Sequence, residues 1–227
     1  MYKTGIIYHW VVFFLTYVSS ILDIIKRQSQ GTPIYTNEIA EVLAAQFSIS
    51  KKKAAAATAV AVKRIMDSGI LPDLRCYQKG IYFRTVVTPF GETGISREKL
   101  IADKYLLPDC GYETGLGLLH HLGLTTQVPA ERVLATNAAK NCTRRDKKLG
   151  VAVCPPKTKI TAENRAYLQI LDAIEFMDKA PVDVQNPYTI LADHIRKNGL
   201  QYEMLLYYAD QYYNRKTIIR LAHTANS

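Results

Sequence analysis

The residue types best suited to metal or acid–base chemistry gather around one stretch, GYETGLGLLHHLGLTTQVP at 111–129, where His120 and His121 adjoin. Cys110 precedes it, and Cys142 and Cys154 follow. Thiolates and imidazoles are ligands zinc prefers. The spacing speaks against a metal, because neighbouring helical residues project about 100° apart and cannot share one ion as an i, i+4 pair does. No GxSxG, no HExxH and no tight carboxylate pair supplies a nucleophile or a general base. The expectation is therefore no catalytic residue, no metal and no cofactor, hence a protein that is not an enzyme. The stretch is read as a close-packed helix in which Gly115 and Gly117 admit neighbours, Leu118, Leu119 and Leu122 are buried, and the histidines lie near a surface.

A second chemistry, polyanion binding, is carried by charge. The 227 residues hold 29 Lys and Arg against 20 Asp and Glu, a formal net charge of +9. Residues 1–90 contain eleven bases and five acids, and the run from Lys51 to Arg64 contains five bases and no acid. Such an excess favours nucleic acid or an anionic membrane as a partner and says nothing of the fold. With 48% hydrophobic and 22% charged residues the chain is globular rather than disordered. Its length suits two small domains. The four widely spaced cysteines show no CxxC pattern and read as reduced thiols of a cytosolic protein.

Three helices and a hairpin position the basic residues. ILDIIKRQ aligns Ile21, Leu22 and Ile25, and GTP at 31–33 ends it. Thr36 is an expected N-cap for NEIAEVLAAQF, whose apolar face is Ile39, Val42, Leu43 and Phe47. After an SIS turn, Ser50 caps KKKAAAATAVAVKRIMDS, which Gly69 ends. Thr58, Val62, Ile65 and Met66 are its expected interior face. Lys52, Lys53, Ala56, Ala57, Val60 and Lys63 face outward. LRCYQKGIYFRTV then reads as two strands hinged at Gln78-Lys79-Gly80, where glycine supplies the positive φ of a tight turn.

That order is the order of a winged helix-turn-helix, which lays its third helix and its hairpin on DNA. The expected DNA-contacting residues are Lys51, Lys52, Lys53, Lys63 and Arg64 on the helix and Arg75, Lys79 and Arg84 on the wing. Few side chains of the helix can read base edges, so phosphate contacts should dominate. Arg144, Arg145, Lys147 and Lys148, in NCTRRDKKLG, form a second basic cluster, read either as a phosphate contact or as a solvated loop.

The expected fold class is α+β: a winged helix-turn-helix over 20–87, a linker over 88–94 (TPFGETG), and a mixed α/β and helical domain over 95–227. RVLAT (132–136) and LGVAVC (149–154) are its expected strands, with Pro155-Pro156 ending the second. Thr161 caps a helix with Tyr167, Ile170, Leu171, Ile174 and Met177 on one face. Pro187 opens another that Gly199 closes. The C-terminal tyrosines Tyr202, Tyr207, Tyr208, Tyr212 and Tyr213 serve either as core and interface, the favoured reading, or as a stacking platform for bases.

Residues 1–19 are read as an apolar extension. Gly5 to Ile25 approaches the length of a bilayer span. His9, Asp23, the single preceding Lys3 and the lack of a cleavage site speak against one. A buried or partner-binding helix is the other alternative, since Trp10, Phe13, Phe14 and Tyr17 recur at helical spacing.

The run SGILPDLRCYQKGIYFR, then GYETGLGLLHHLGLTTQVPAERVLATN, then ITAENRAYLQILDAIEFMDKAP resembles the AbiEi-type antitoxins of type IV toxin–antitoxin (abortive infection) systems and related winged-helix regulators. The resemblance spans about residues 20–222 and is strongest at Gly123-Leu124-Thr125-Thr126-Gln127-Val128-Pro129, with Thr114-Gly115 upstream. It implies a cytoplasmic autorepressor that binds double-stranded DNA of its own promoter. It also implies a C-terminal domain opposing a nucleotidyltransferase-like toxin without a required stable complex. A stand-alone regulator and a membrane-anchored interaction protein are the alternatives. Residues 1–19 depart from the family pattern.

Overall fold

The computed structural model describes residues 17–226 and divides the chain into two compact units, one up to Lys99 and one from Leu100 onward. Together they make a mixed α and β protein.

In the first unit, helix α1 covers residues 17–27 and is followed by β1 (Ile34–Tyr35), α2 (Thr36–Phe47) and α3 (Lys51–Asp67). Strands β2 (Leu74–Gln78) and β3 (Ile81–Arg84) form a hairpin, and β1 pairs antiparallel with β3, giving the sheet order β1-β3-β2. The hairpin turn requires Gly80, whose φ is +87°. Ile21 and Ile25 of α1, Ile39 and Leu43 of α2, and Ala54, Val62 and Ile65 of α3 close the core. A three-residue turn joins α2 to α3. Ser48 takes the left-handed conformation, and the Ser50 hydroxyl accepts a hydrogen bond from the Lys53 amide at 3.4 Å.

Several expectations shift here. The apolar extension expected over residues 1–19 is shorter, because Tyr17 packs edge-on against Phe47 at 4.7 Å and Val18 also meets the core, so residues 17–19 belong to α1; residues 1–16 lie outside the described part. Thr36 is the first residue of α2 rather than its cap, because its hydroxyl donates instead to the Gly80 carbonyl at 3.3 Å. Val42 is 50% exposed and Ala40 takes its place in the core. The stretch 88–94, expected as a linker, carries a small hairpin of β4 (Val87–Thr88) and β5 (Gly91–Glu92). The Thr85 hydroxyl, donating to the Thr93 carbonyl at 2.7 Å, closes its base.

In the second unit α4 (Arg97–Ile101), whose first three residues belong to the first unit, leads into a π-helical turn at Ala102–Leu106. A four-stranded sheet follows, built from β6 (Gly111–Thr114), β7 (Arg132–Thr136), β8 (Arg144–Asp146) and β9 (Val151–Cys154) in the order β6-β7-β9-β8. Only β7 and β9 run parallel. Helix α5 (Gly115–His121) links β6 to β7, and α6 (Arg165–Phe176), α7 (Pro187–Lys197), α8 (Tyr202–Tyr212) and α9 (Arg215–Ala225) complete the chain. Leu118, Leu119, Leu171, Ile174, Leu191, Ile195, Leu205 and Leu221 form the helical core. α6 begins four residues after Thr161, whose hydroxyl accepts from the Asn164 amide while the Asn164 side chain accepts from the Thr161 amide. That reciprocal pair sets up the turn before the helix.

Candidate nucleic-acid interface

Helix α3 buries Ala54, Thr58, Ala61, Val62 and Ile65 and turns everything else outward, with Ala57 and Met66 half-covered at its edges. Its exposed side carries Lys51, Lys52, Lys53, Lys63 and Arg64. Three lysines in the first turn set like charge against the positive end of the helix dipole, an arrangement that lowers stability. Glu41 of α2 offsets one of them, accepting from Lys51 Nζ at 3.3 Å in an exposed pair. Lys52, Lys53, Lys63 and Lys79 enter none of the ion pairs found among the described residues and remain in solvent.

Lys79 stands at the tip of the β2–β3 hairpin beside Gly80. The Gly80 carbonyl accepts from both the amide and the hydroxyl of Thr36, at 3.0 and 3.3 Å. Between α3 and the hairpin lies a groove of about 690 Å³ lined by Ala59, Lys63, Met66 and Asp67 on the helix side and by Cys76, Lys79, Gly80 and Tyr82 on the other. Burial, aided by the neighbouring Cys76 thiol, pushes the Tyr82 phenol above its ordinary pKa, so it enters the groove as a neutral hydroxyl.

The two arginines of the β2–β3 hairpin are engaged within the protein. Arg84 grips Asp73 through Nε at 2.9 Å and reaches the Lys26 carbonyl at the end of α1 at 2.8 Å. Both partners of that ion pair are three-quarters buried or more. Arg75 makes a two-point contact with Glu92 of β5 and donates to the Pro72 carbonyl at 2.7 Å. Their hydrogen bond is the main reason the Arg75 guanidinium sits above, and the Glu92 carboxyl below, its ordinary pKa. The sequence offers no sign of these partners, which lie 11 and 17 residues away. Of the basic residues expected on DNA, the exposed ones in the first unit are thus those of α3 and the hairpin tip, while Arg75 and Arg84 act as braces.

The second basic cluster falls on an ordered edge strand. Arg144 is exposed, Arg145 pairs with Glu131 at 2.8 Å, and Lys147 and Lys148 occupy the β8–β9 turn. Asp146 organises that turn, accepting from the Lys148 and Leu149 amides at 3.1 Å each and from Lys104 Nζ and the Tyr105 hydroxyl at 2.8 Å each. These bonds outweigh burial and hold its carboxyl down to about 2. The cluster is therefore interleaved with acid, unlike the α3 face.

His120 and His121 both have Nδ1 tied to protein oxygens, the Thr125 carbonyl at 3.2 Å and Glu113 Oε2 at 3.1 Å. His120 is half-buried and His121 exposed, while Leu118 and Leu119 fill the core. Among the described residues no group of three or more potential ligands could hold a metal. Gly117 lies against the Glu113 carboxylate, which an added Cβ would meet at 2.4 Å.

A constellation hidden in the helical pattern is Asp172 on α6. Its buried carboxylate accepts from the hydroxyls of Tyr112 at 3.1 Å, Thr114 at 2.9 Å and Tyr213 at 2.6 Å. Burial raises its pKa against those bonds and also raises both phenols. The nearby Cys154 thiol is pushed up to about 11, by burial first and then by Asp172. The network joins β6, α6 and the end of α8. Tyr213 thus serves the core, as does Tyr202, which donates to the Thr224 carbonyl at 2.9 Å, whereas Tyr207 and Tyr212 stay exposed.

Among the described residues no helix is long and apolar enough to cross a membrane. Neither a protein-family model nor a curated protein sequence matches the chain.

Proposed function

We propose that this protein is a cytoplasmic DNA-binding repressor whose first unit acts as a winged helix-turn-helix, with α3 as the recognition helix and the β2–β3 hairpin as the wing. The observation that carries the reading is the acid-free, lysine-bearing face of α3, from Lys51 to Met66, beside a hairpin tip that adds Lys79. The order helix, strand, helix, three-residue turn, helix, hairpin, with the first short strand completing the hairpin's sheet, supports it. Lysines crowded onto the positive end of a helix do not serve folding. Phosphates would neutralise them and accept from the same helix end. The DNA contacts are Lys51, Lys52, Lys53, Lys63, Arg64 and Lys79.

The circuit in which the repressor works follows from the resemblance to AbiEi-type antitoxins. The DNA is the promoter of its own gene, and the second unit opposes a nucleotidyltransferase-like toxin without a lasting complex. Fluorescence anisotropy of the full chain on the duplex upstream of its own gene, against a scrambled duplex and across a salt series, tests the DNA reading. Salt-steep binding that prefers the promoter is expected; absent or salt-insensitive binding would overturn it. Co-expression with a neighbouring nucleotidyltransferase gene tests the antitoxin reading, which fails if growth arrest persists.

A further inference from the structure

We infer that α3 recognises DNA sequence through methyl groups, reading the C5-methyl of thymine in the major groove with Ala56, Ala59 and Val60. The inference rests on the DNA-binding reading and specifies what that face recognises.

Each base edge in the major groove demands a particular partner. Adenine N6 and cytosine N4 are donors that need an acceptor on the protein, guanine presents two acceptors, and thymine offers an acceptor and a methyl group. The exposed side chains of α3 from Lys51 to Met66 are lysines, Arg64, alanines and Val60, and none carries an acceptor. Thr58 holds the one hydroxyl in that span and is fully buried. The first acceptor on the exposed side is Asp67, the last residue of the helix. This face therefore lacks the groups that would select adenine or cytosine by hydrogen bonding. What it does offer is a strip of methyl groups.

Their arrangement suits the groove. Lys52, Ala56 and Val60 follow one another at i, i+4 spacing directly opposite the buried stripe, and Lys63 and Ala59 adjoin them on the hairpin side. Ala56 and Val60 lie about 6 Å apart along the axis, close to two base-pair steps of about 3.4 Å. Val60 is 44% exposed although core positions lie on the same helix. Exposed lysines flank the methyl strip at both ends, Lys52 and Lys53 before it and Lys63 after it, which names a polyanion as the occupant rather than an apolar protein surface. Alanine keeps the helix narrow, so the strip meets the base edges while the lysines reach the phosphates.

Replacing every thymine of a duplex by uracil removes the methyl groups and leaves the charge and the hydrogen-bonding edges unchanged. The test measures binding of the full chain to its upstream duplex and to the all-uracil version at one salt concentration, with a salt series for each. Uracil should weaken binding by about tenfold or more, taking about fourfold per buried methyl and at least two contacts. The salt slopes of the two duplexes should agree. Replacing cytosine by 5-methylcytosine in the uracil duplex returns methyl groups to the same groove edge and should restore part of the affinity. Val60→Ala, which removes methyl contact and adds no hydrogen-bonding group, should shrink the thymine-to-uracil ratio. Equal, salt-steep binding of the thymine and uracil duplexes would overturn the methyl inference and leave DNA binding standing. Absence of binding to either would overturn both.

Discussion

Replacing Lys52, Lys53 and Lys63 together by alanine separates binding from folding. With Lys51, Arg64 and Lys79 they make six cations on the proposed interface, since Arg75 and Arg84 are held by Glu92 and Asp73. Each neutralised phosphate contributes about −0.9 to the slope of log affinity against log salt, so six contacts give about −5 and eight would give about −7. A fourfold rise from about 50 to 200 mM salt then weakens binding roughly two-thousandfold. The triple variant retains three contacts, a slope of about −3 and a loss of only about fortyfold over the same range. Its fold should not suffer, because alanine has the highest helix propensity and two of the lysines sit at the helix end where positive charge is unfavourable. Thermal unfolding should show a midpoint equal to or above that of the parent. Anisotropy titrations at four salt concentrations give the slopes. An unchanged slope with an intact fold would refute the assignment of the α3 face. A slope near −7 in the parent, falling when Arg75→Met is introduced, would return that arginine to the interface.

Other outcomes follow from the packing. Arg84→Met breaks a largely buried ion pair and its bond to the end of α1, and should cost about 2–3 kcal/mol in urea unfolding while leaving the salt slope of DNA binding unchanged; a loss below about 0.5 kcal/mol would show that Arg84 is no brace. Gly111→Ala drives a Cβ to 2.0 Å from the Tyr105 carbonyl and 2.9 Å from that of Ala135, both backbone atoms, and should destabilise by about 3 kcal/mol. A soluble variant with an unchanged unfolding midpoint would contradict that packing. Asp146, whose folded pKa is lowered from 3.8 to about 2, stabilises above the unfolded value and loses that contribution as pH falls towards 2. Asp146→Asn should therefore flatten the acid limb of stability, read from denaturation between pH 2 and 5. Asp172 works in the opposite sense. Its folded pKa is raised, so the folded state holds its proton more tightly and stability declines as pH rises from the unfolded value through the folded one. Asp172→Asn should remove that decline, and a parallel decline in the variant would show that another group causes it.

Short-range signals are legible in the sequence, and long-range partners are not. Ser50 and Gly69 bound α3 because both act on adjacent backbone, and RVLAT is β7 residue for residue. The stretch from Gly111, expected as a close-packed helix, begins with strand β6 instead, because GYET is four residues with one glycine and becomes a strand only through its pairing with β7. β8 reads as a basic loop because Arg144-Arg145-Asp146 has no apolar face; its order comes from the ladder to β9 and from Lys104 and Tyr105 some forty residues away. Asp172 interrupts an apolar helical pattern as a surface residue would, and its three hydroxyl partners come from distant segments. Arg75 and Arg84 read as DNA contacts from their charge and their place on the hairpin, since both are visible in sequence and pairing is not. The basic character of α3 was legible, and so was the outward turn of Ala56 and Val60, because one helix carries them all.

The double hydrogen bond from Thr36 to the Gly80 carbonyl ties the hairpin tip to the first turn of α2. A hairpin that swung freely would have to be immobilised each time it met a ligand, and the lost freedom would weaken binding by about 0.5–1.5 kcal/mol for each ordered side chain. Here the gap between Lys79 and Lys63 is set during folding. If the first unit binds DNA as proposed, the groove acts as a fixed gauge, and a strand whose phosphates do not match its width gains little from either lysine.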